Sequence, residues 1–206
     1  MEKELPVFPN PAYSSSMKVI ALCVVLLIGG IVIFAGCRTS RQGYKSAPYA
    51  VVRSDGKYEL RDYPALTIAE TPMNGGSGSS FNRLFAFITG RNEGNQKIAM
   101  TTPVFMTGST MAFVMPADLK TVPVPAEGSV AVKQIPAGRF AVLQYSGERS
   151  RSQEERTLAE LKAWMAVQGL PVLSQPLYGY FDPPWTPTFL RRNEVMLRTE
   201  TQPSTK

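Results

Sequence analysis

A mixed α+β domain, with two helices against a curved sheet built from two related halves, is the fold class this sequence predicts. Short apolar runs bounded by Gly, Pro and Asp/Asn turns mark strands, and two longer stretches carry the spacing of amphipathic helices. The order of strands, helix and strands then occurs twice, which points to a duplicated unit.

Tyr49–Arg53 and Lys57–Asp62 read as strands joined through Ser54-Asp55-Gly56, and a third strand follows at Ala65–Glu70. The stretch Asn74–Ser80 reads as a flexible loop; it has no Gly-Lys-Ser/Thr continuation and no dinucleotide fingerprint, which argues against nucleotide binding. Phe81, Leu84, Phe85 and Ile88 recur at i, i+3, i+4 and i+7, predicting a helix that ends at Gly90, with Phe87 off that stripe and expected to be covered by strands. Lys97–Met106 and Thr110–Pro116 follow as strands around Gly108, the first interrupted at Pro103, which has no N–H to give a ladder.

Ala117–Gly128 reads as the linker between halves. Val130–Ile135 and Phe140–Tyr145 are the next strands. Ser152 and Glu155 have capping-box spacing, so the second helix is expected to start near Ser152, bury Leu158, Leu161, Trp164 and Met165, and close at Gly169. Strands at Leu177–Phe181 and Asn193–Arg198 complete the second half. Tyr63-Pro64-Ala65 and Ile135-Pro136-Ala137 enter corresponding strands, a local echo of the duplication.

Composition removes whole classes of chemistry. The 206 residues include no histidine, which excludes histidine triads, histidine-based zinc sites and imidazole acid–base catalysis. Both cysteines, Cys23 and Cys37, lie in or beside an apolar N-terminal segment, so the domain has neither a thiol nucleophile nor a disulfide. Net charge is +6, and residues 1–37 contribute nothing to it because Lys3 and Lys18 balance Glu2 and Glu4. A basic surface suits an anionic ligand or an anionic membrane, but the basic residues are scattered and form no nucleic-acid arm.

Residues 19–36 form an uncharged apolar run, about 27 Å long as a helix. One reading is a lipoprotein-type signal starting at Met17, with small Ala35 and Gly36 preceding Cys37 as the lipidated residue. The other is an uncleaved membrane helix, in which Cys37 is incidental. Either places the chain at a cell membrane or outer membrane, with the domain expected outside the cytoplasm. Met1 and Met17 both remain open as the start.

Five segments carry a family resemblance: Tyr58-Glu59-Leu60-Arg61-Asp62-Tyr63-Pro64; Phe81-Asn82-Arg83-Leu84-Phe85 with Ile88-Thr89-Gly90-Arg91-Asn92; Lys97-Ile98-Ala99-Met100-Thr101-Thr102-Pro103-Val104; Met111-Ala112-Phe113-Val114-Met115-Pro116; and Pro183-Pro184-Trp185 with Arg192-Asn193-Glu194-Val195. In this order, across about residues 48–198, they resemble the SOUL family of heme-binding proteins. The resemblance implies a distorted β-barrel of two pseudo-symmetric halves flanked by two α-helices, with heme or related tetrapyrroles bound by some members. The expected organisation is an extension (1–16), a lipoprotein signal or anchor (17–37), a tether (38–48), the SOUL-like domain (49–198) and a tail (199–206).

Without histidine, iron is left with thioether or phenolate ligands, for which Met100, Met111 and Tyr145 are weak candidates. A tetrapyrrole held without coordination needs apolar walls and a cation for its propionates. Phe81, Leu84, Phe85 and Ile88 beside Arg83, Arg91 and Lys97 have that character, and Trp185 sits on a stiff proline loop that can line a pocket or dock a partner. Arg192 and Glu194 read as strand-edge pairing. Asp62, Glu70, Glu93 and Asp118 are scattered carboxylates without a catalytic motif. The expected function is non-enzymatic, non-covalent binding of heme or a related tetrapyrrole at a membrane, without histidine ligation. The alternative is an envelope structural or protein-interaction module on the same scaffold that binds no heme.

Overall fold

The computed structural model describes residues 18–26, 43–126 and 128–200. Residues 18–26 are helical and exposed and belong to a unit, Met1–Ser40, separate from the domain that begins at Arg41. Among the described residues no helix is long and apolar enough to cross a membrane. The apolar run 19–36 continues past them, and Cys37, the extension 1–16 and residues 201–206 of the tail lie outside the described residues.

The domain contains β1 (Lys45–Ser46), β2 (Ala50–Asp55), β3 (Tyr58–Tyr63), β4 (Leu66–Pro72), α1 (Gly76–Ile88), β5 (Thr101–Thr102), β6 (Val104–Met106), β7 (Thr110–Val114), β8 (Ala131–Ile135), β9 (Gly138–Tyr145), α2 (Arg151–Val167), β10 (Leu177–Tyr180) and β11 (Asn193–Glu200). Nine strands form one antiparallel sheet in the order β2-β3-β9-β11-β10-β6-β7-β4-β8, while β1 and β5 pair in parallel. Counted outward from the β10–β6 junction, β10, β11, β9 and β3 mirror β6, β7, β4 and β8. The units β3–β4–α1–β6–β7 and β8–β9–α2–β10–β11 are therefore equivalent, and the echoed Pro-Ala corners fall at the same place in each. The first strand of each half pairs within the other half, β3 on β9 and β8 on β4, which ties the two together.

Strand alternation sorts the side chains onto two faces. Ile68 of β4 and Val142 of β9 share one buried cluster with Leu66, Ala112, Val114, Phe140 and Met196, although four strands separate β4 from β9 in the sheet. Only a curled sheet brings them together, so this cluster fills the concave side of a half-barrel. On the convex side α1 packs Leu84, Phe87 and Ile88 on Ala69, Met111 and Phe113, and α2 packs Leu161 and Met165 on Leu60, Ala141, Leu143, Val195 and Leu197. Trp164 of α2 stacks on Tyr58 with ring centroids 5.0 Å apart.

Three local expectations change. The glycine-rich stretch expected to be a loop supplies the first turns of α1, because Arg83 pins it: its guanidinium donates to Ser79, to the Pro72 carbonyl and to Asn74. The buried stripe of α1 is Ser80, Leu84, Phe87 and Ile88, so Phe85 of the expected stripe turns outward; small, polar Ser80 hid this register. The cap of α2 is Ser150, whose Oγ accepts the Gln153 N–H at 3.2 Å, and Ser150-Arg151-Ser152-Gln153 fits the capping pattern as well as the segment two residues later. Pro103 does divide the expected strand into β5 and β6, and Gly169, at φ 65°, follows α2 in the left-handed region that glycine enters without strain.

Candidate ligand-binding site

The concave face is packed at its centre and open at one end. There a pocket of about 280 Å³ lies between Ile68 and Glu70 of β4, Phe105 of β6, Ala112 of β7, Ile135 of β8, Phe140 of β9, Leu177 of β10 and Arg198 of β11. Thr107 of the β6–β7 turn, Thr110 at the start of β7 and the Ser174–Pro176 segment complete its rim. Period two dictates the lining: Ile68 and Glu70 of β4 and Thr110 and Ala112 of β7 alternate onto the concave face, as Arg198 of β11 does two residues beyond Met196, which is buried in the packed centre.

Arg198 is the cation of this pocket. Its Nη1 donates to the Ala137 carbonyl at 2.9 Å and its Nη2 to the Pro136 carbonyl at 2.7 Å, while the guanidinium lies 4.5 Å from the centre of the Phe140 ring. Burial alone lowers its pKa from the ordinary guanidinium value, and among the described residues it meets no carboxylate. Glu70, across the pocket, is paired with Lys133. Gly138 makes the Arg198 position available: a Cβ there would lie 1.9 Å from Arg198 Nη1 and 2.6 Å from the Glu200 carbonyl.

The residues singled out from sequence are distributed differently. Leu84 and Ile88 are sealed between α1 and the sheet, whereas Phe81 and Phe85, 37% and 46% exposed, stack on each other at 5.9 Å at the rim of the helix, with Phe81 also edge-on to the buried Phe113 at 5.2 Å. Arg83 and Arg91 flank a recess beside Phe87 of only about 10 Å³, no more than one water needs. Lys97 is exposed on the segment before β5, and Trp185 is 73% exposed on the loop between β10 and β11. Met100 and Met111 belong to the cluster under α1, Tyr145 to that under α2. Burial raises the Tyr145 pKa, which disfavours a phenolate there. Arg198, Phe140 and Gly138 were the residues missed; the only signal for them was that Arg198 and Met196 alternate on one strand.

Residues 44–198 match the SOUL heme-binding protein family. The chain belongs to this family. Solved structures similar to this SOUL domain share its fold at low identity. The crystal structure of the EcmrR C-terminal domain has a TM-score of 0.53 at 14% identity, covering 73% of this chain and 96% of that one. An uncharacterized conserved protein from Listeria innocua gives 0.52 at 13%, covering 68% and 91%, and a cryo-EM EcmrR–DNA complex gives 0.51 at 11%, covering 95% and 74%. No curated protein matches the chain significantly.

A tetrapyrrole fits the SOUL pocket in part. The apolar walls and the carboxylate-free Arg198 suit the edge of a flat ring and an acidic side chain. The iron has no free partner there: the residues lining the pocket include no His, Met, Cys or Tyr, Tyr63 and Met196 beneath it are buried with the Tyr63 hydroxyl donating to the Met196 sulfur at 3.7 Å, and its one carboxylate, Glu70, is held by Lys133. Among the described residues no group of three or more His, Cys, Asp or Glu is arranged to hold a metal ion. At about 280 Å³ the pocket lies at the lower edge of the roughly 300–1,000 Å³ typical of small-molecule sites, so a ring of heme size extends out of it.

Proposed function

We propose that this SOUL domain is a non-enzymatic binding protein for heme or a related tetrapyrrole, held by shape and charge in the concave pocket without coordination of the iron. The observation that carries the reading is Arg198: a half-buried cation that meets no carboxylate among the described residues, set in a largely apolar pocket of a domain from a heme-binding family. An anionic side chain on the ligand would complete it, since a charge-assisted hydrogen bond is about twice as strong as a neutral one. The apolar walls Phe105, Phe140 and Leu177 would take the ring edge.

The apolar run 19–36 supports a membrane-held form, through lipid on Cys37 or through an uncleaved helix, with the domain outside the cytoplasm. Intact mass of the membrane-extracted protein distinguishes these two attachments. Binding without coordination is tested by titrating the protein with hemin and with iron-free protoporphyrin. Saturation at one ligand per chain with comparable affinity for both supports the reading. Tight binding of hemin alone would require an iron ligand and overturn it.

A further inference from the structure

The loop between β10 and β11 presents two large aromatic side chains to solvent. Trp185 is 73% exposed and Phe189 71% exposed. The backbone beneath them is fixed. Arg191 Nε donates to the Thr186 carbonyl at 2.8 Å and its Nη2 to the Pro184 carbonyl at 2.6 Å, the Thr186 N–H bonds the Pro183 carbonyl at 3.0 Å, and the Arg192 N–H bonds Asp182 at 2.6 Å. A loop built this firmly loses little entropy when its aromatic tips are buried elsewhere.

The end of the sheet that carries this loop is also where the N-terminal tether enters the domain. Tyr180, at the end of β10, pairs with Val104, and two residues before Val104, Thr102 pairs with Ser46 and bonds the Ala47 N–H. The pocket mouth is at the other end, near Arg198 toward the end of β11 and Leu177 at the start of β10. From Gly36, the last residue of the apolar run, to Tyr44 the chain is eight residues, which extend to at most about 28 Å. Residues 183–192 contain no carboxylate; of their two cations Arg192 is paired with Glu194, whereas among the described residues Arg191 hydrogen-bonds only carbonyl oxygens and keeps its charge unneutralised.

We infer that Trp185 and Phe189 insert into the headgroup region of an anionic bilayer, docking the tether end of the domain on the membrane and turning the ligand pocket away from it. Tryptophan favours this depth because its ring is apolar while the indole N–H still finds a polar partner, and phenylalanine adds apolar area beside it. The inference rests on the membrane-held form proposed above.

The chain has two tryptophans, and Trp164 is stacked on Tyr58 under α2, so the two report on different surfaces. Full-length protein is reconstituted into phosphatidylcholine–phosphatidylglycerol vesicles, floated on a density gradient, and its tryptophan emission is measured with lipids brominated near the headgroup. Expected are flotation, a blue-shifted and strongly quenched signal from Trp164→Phe protein, and little quenching of Trp185→Phe protein. If Trp164→Phe fails to fold, the difference between wild type and Trp185→Phe gives the same quantity. Flotation with an unquenched Trp185 overturns the docking and leaves the attachment standing, including the case where that tryptophan serves a protein partner instead. Protein that does not float removes the membrane-held form and the docking with it.

Discussion

Arg61 and Glu194, 133 residues apart in the chain, form a two-pronged ion pair with neither side chain exposed: Nη1 to Oε2 is 2.7 Å and Nη2 to Oε1 is 3.0 Å. Arg192 donates to the same carboxylate at 2.6 Å, and Arg61 also reaches Glu59 and lies over the Tyr49 ring. Burial lowers the Arg61 pKa, but the hydrogen bond and charge of Glu194 outweigh it and leave the guanidinium more firmly protonated than usual. β3 and β11 come from different halves, so the pair locks the strand exchange. Replacing Glu194 by Ala removes the carboxylate that Arg61 and Arg192 share, leaves the buried Arg61 only Glu59, and should cost about 3–5 kcal/mol, measured by urea unfolding. A loss below about 1 kcal/mol would mean the pair is not part of the folded core.

Gly138→Ala tests the packing beneath the pocket. The new Cβ collides with the Arg198 guanidinium and with the Glu200 carbonyl, so the side chain and the β11 backbone must both give way. Destabilisation of about 1–3 kcal/mol is expected, together with weakened ligand binding. Unchanged stability and binding would place Arg198 elsewhere.

Ser150→Ala removes the side-chain cap of α2 and should cost about 1 kcal/mol, whereas Ser152→Ala should be near neutral. Denaturant midpoints of the two variants decide between the caps.

Alkaline pH should destabilise the domain. The hydrogen bond from Tyr58 to Glu160 raises its pKa to about 12, and burial followed by the charge of Glu154 does the same for Tyr178. Tyr63 and Tyr180 are raised further, chiefly by burial. A folded-state pKa above the unfolded value of about 10 gives a contribution that is fully present below pH 10 and is lost as pH climbs through 12. Tyrosinate absorbance should therefore appear later in native than in denatured protein. Coincident titration curves would contradict the buried tyrosine network.

The sequence made the order of elements, the duplication and the family legible, because period two, period 3.6 and the proline corners are local signals. It did not disclose the exchange of β3 and β8 between halves, since two equivalent strands present the same pattern to either partner. Small Ser80 concealed the true stripe of α1, and so moved the apolar candidates Phe81 and Phe85 toward the core on paper and outward in the fold. Arg192 and Glu194 read as strand-edge pairing because Arg61, which meets the buried carboxylate, is 133 residues from Glu194 in the chain. The pocket is assembled from seven strands, one turn and one loop segment, and no single segment carries its signature.

The central claim is that Arg198 meets an acidic group of a tetrapyrrole in the concave pocket. Titration of wild type and Arg198→Gln with hemin, after both are shown to be folded by circular dichroism, tests it most directly. Loss of one charge-assisted hydrogen bond, about 1.5–3 kcal/mol, predicts affinity weaker by roughly 10- to 100-fold with unchanged stoichiometry. Equal affinity in the two proteins would contradict the account.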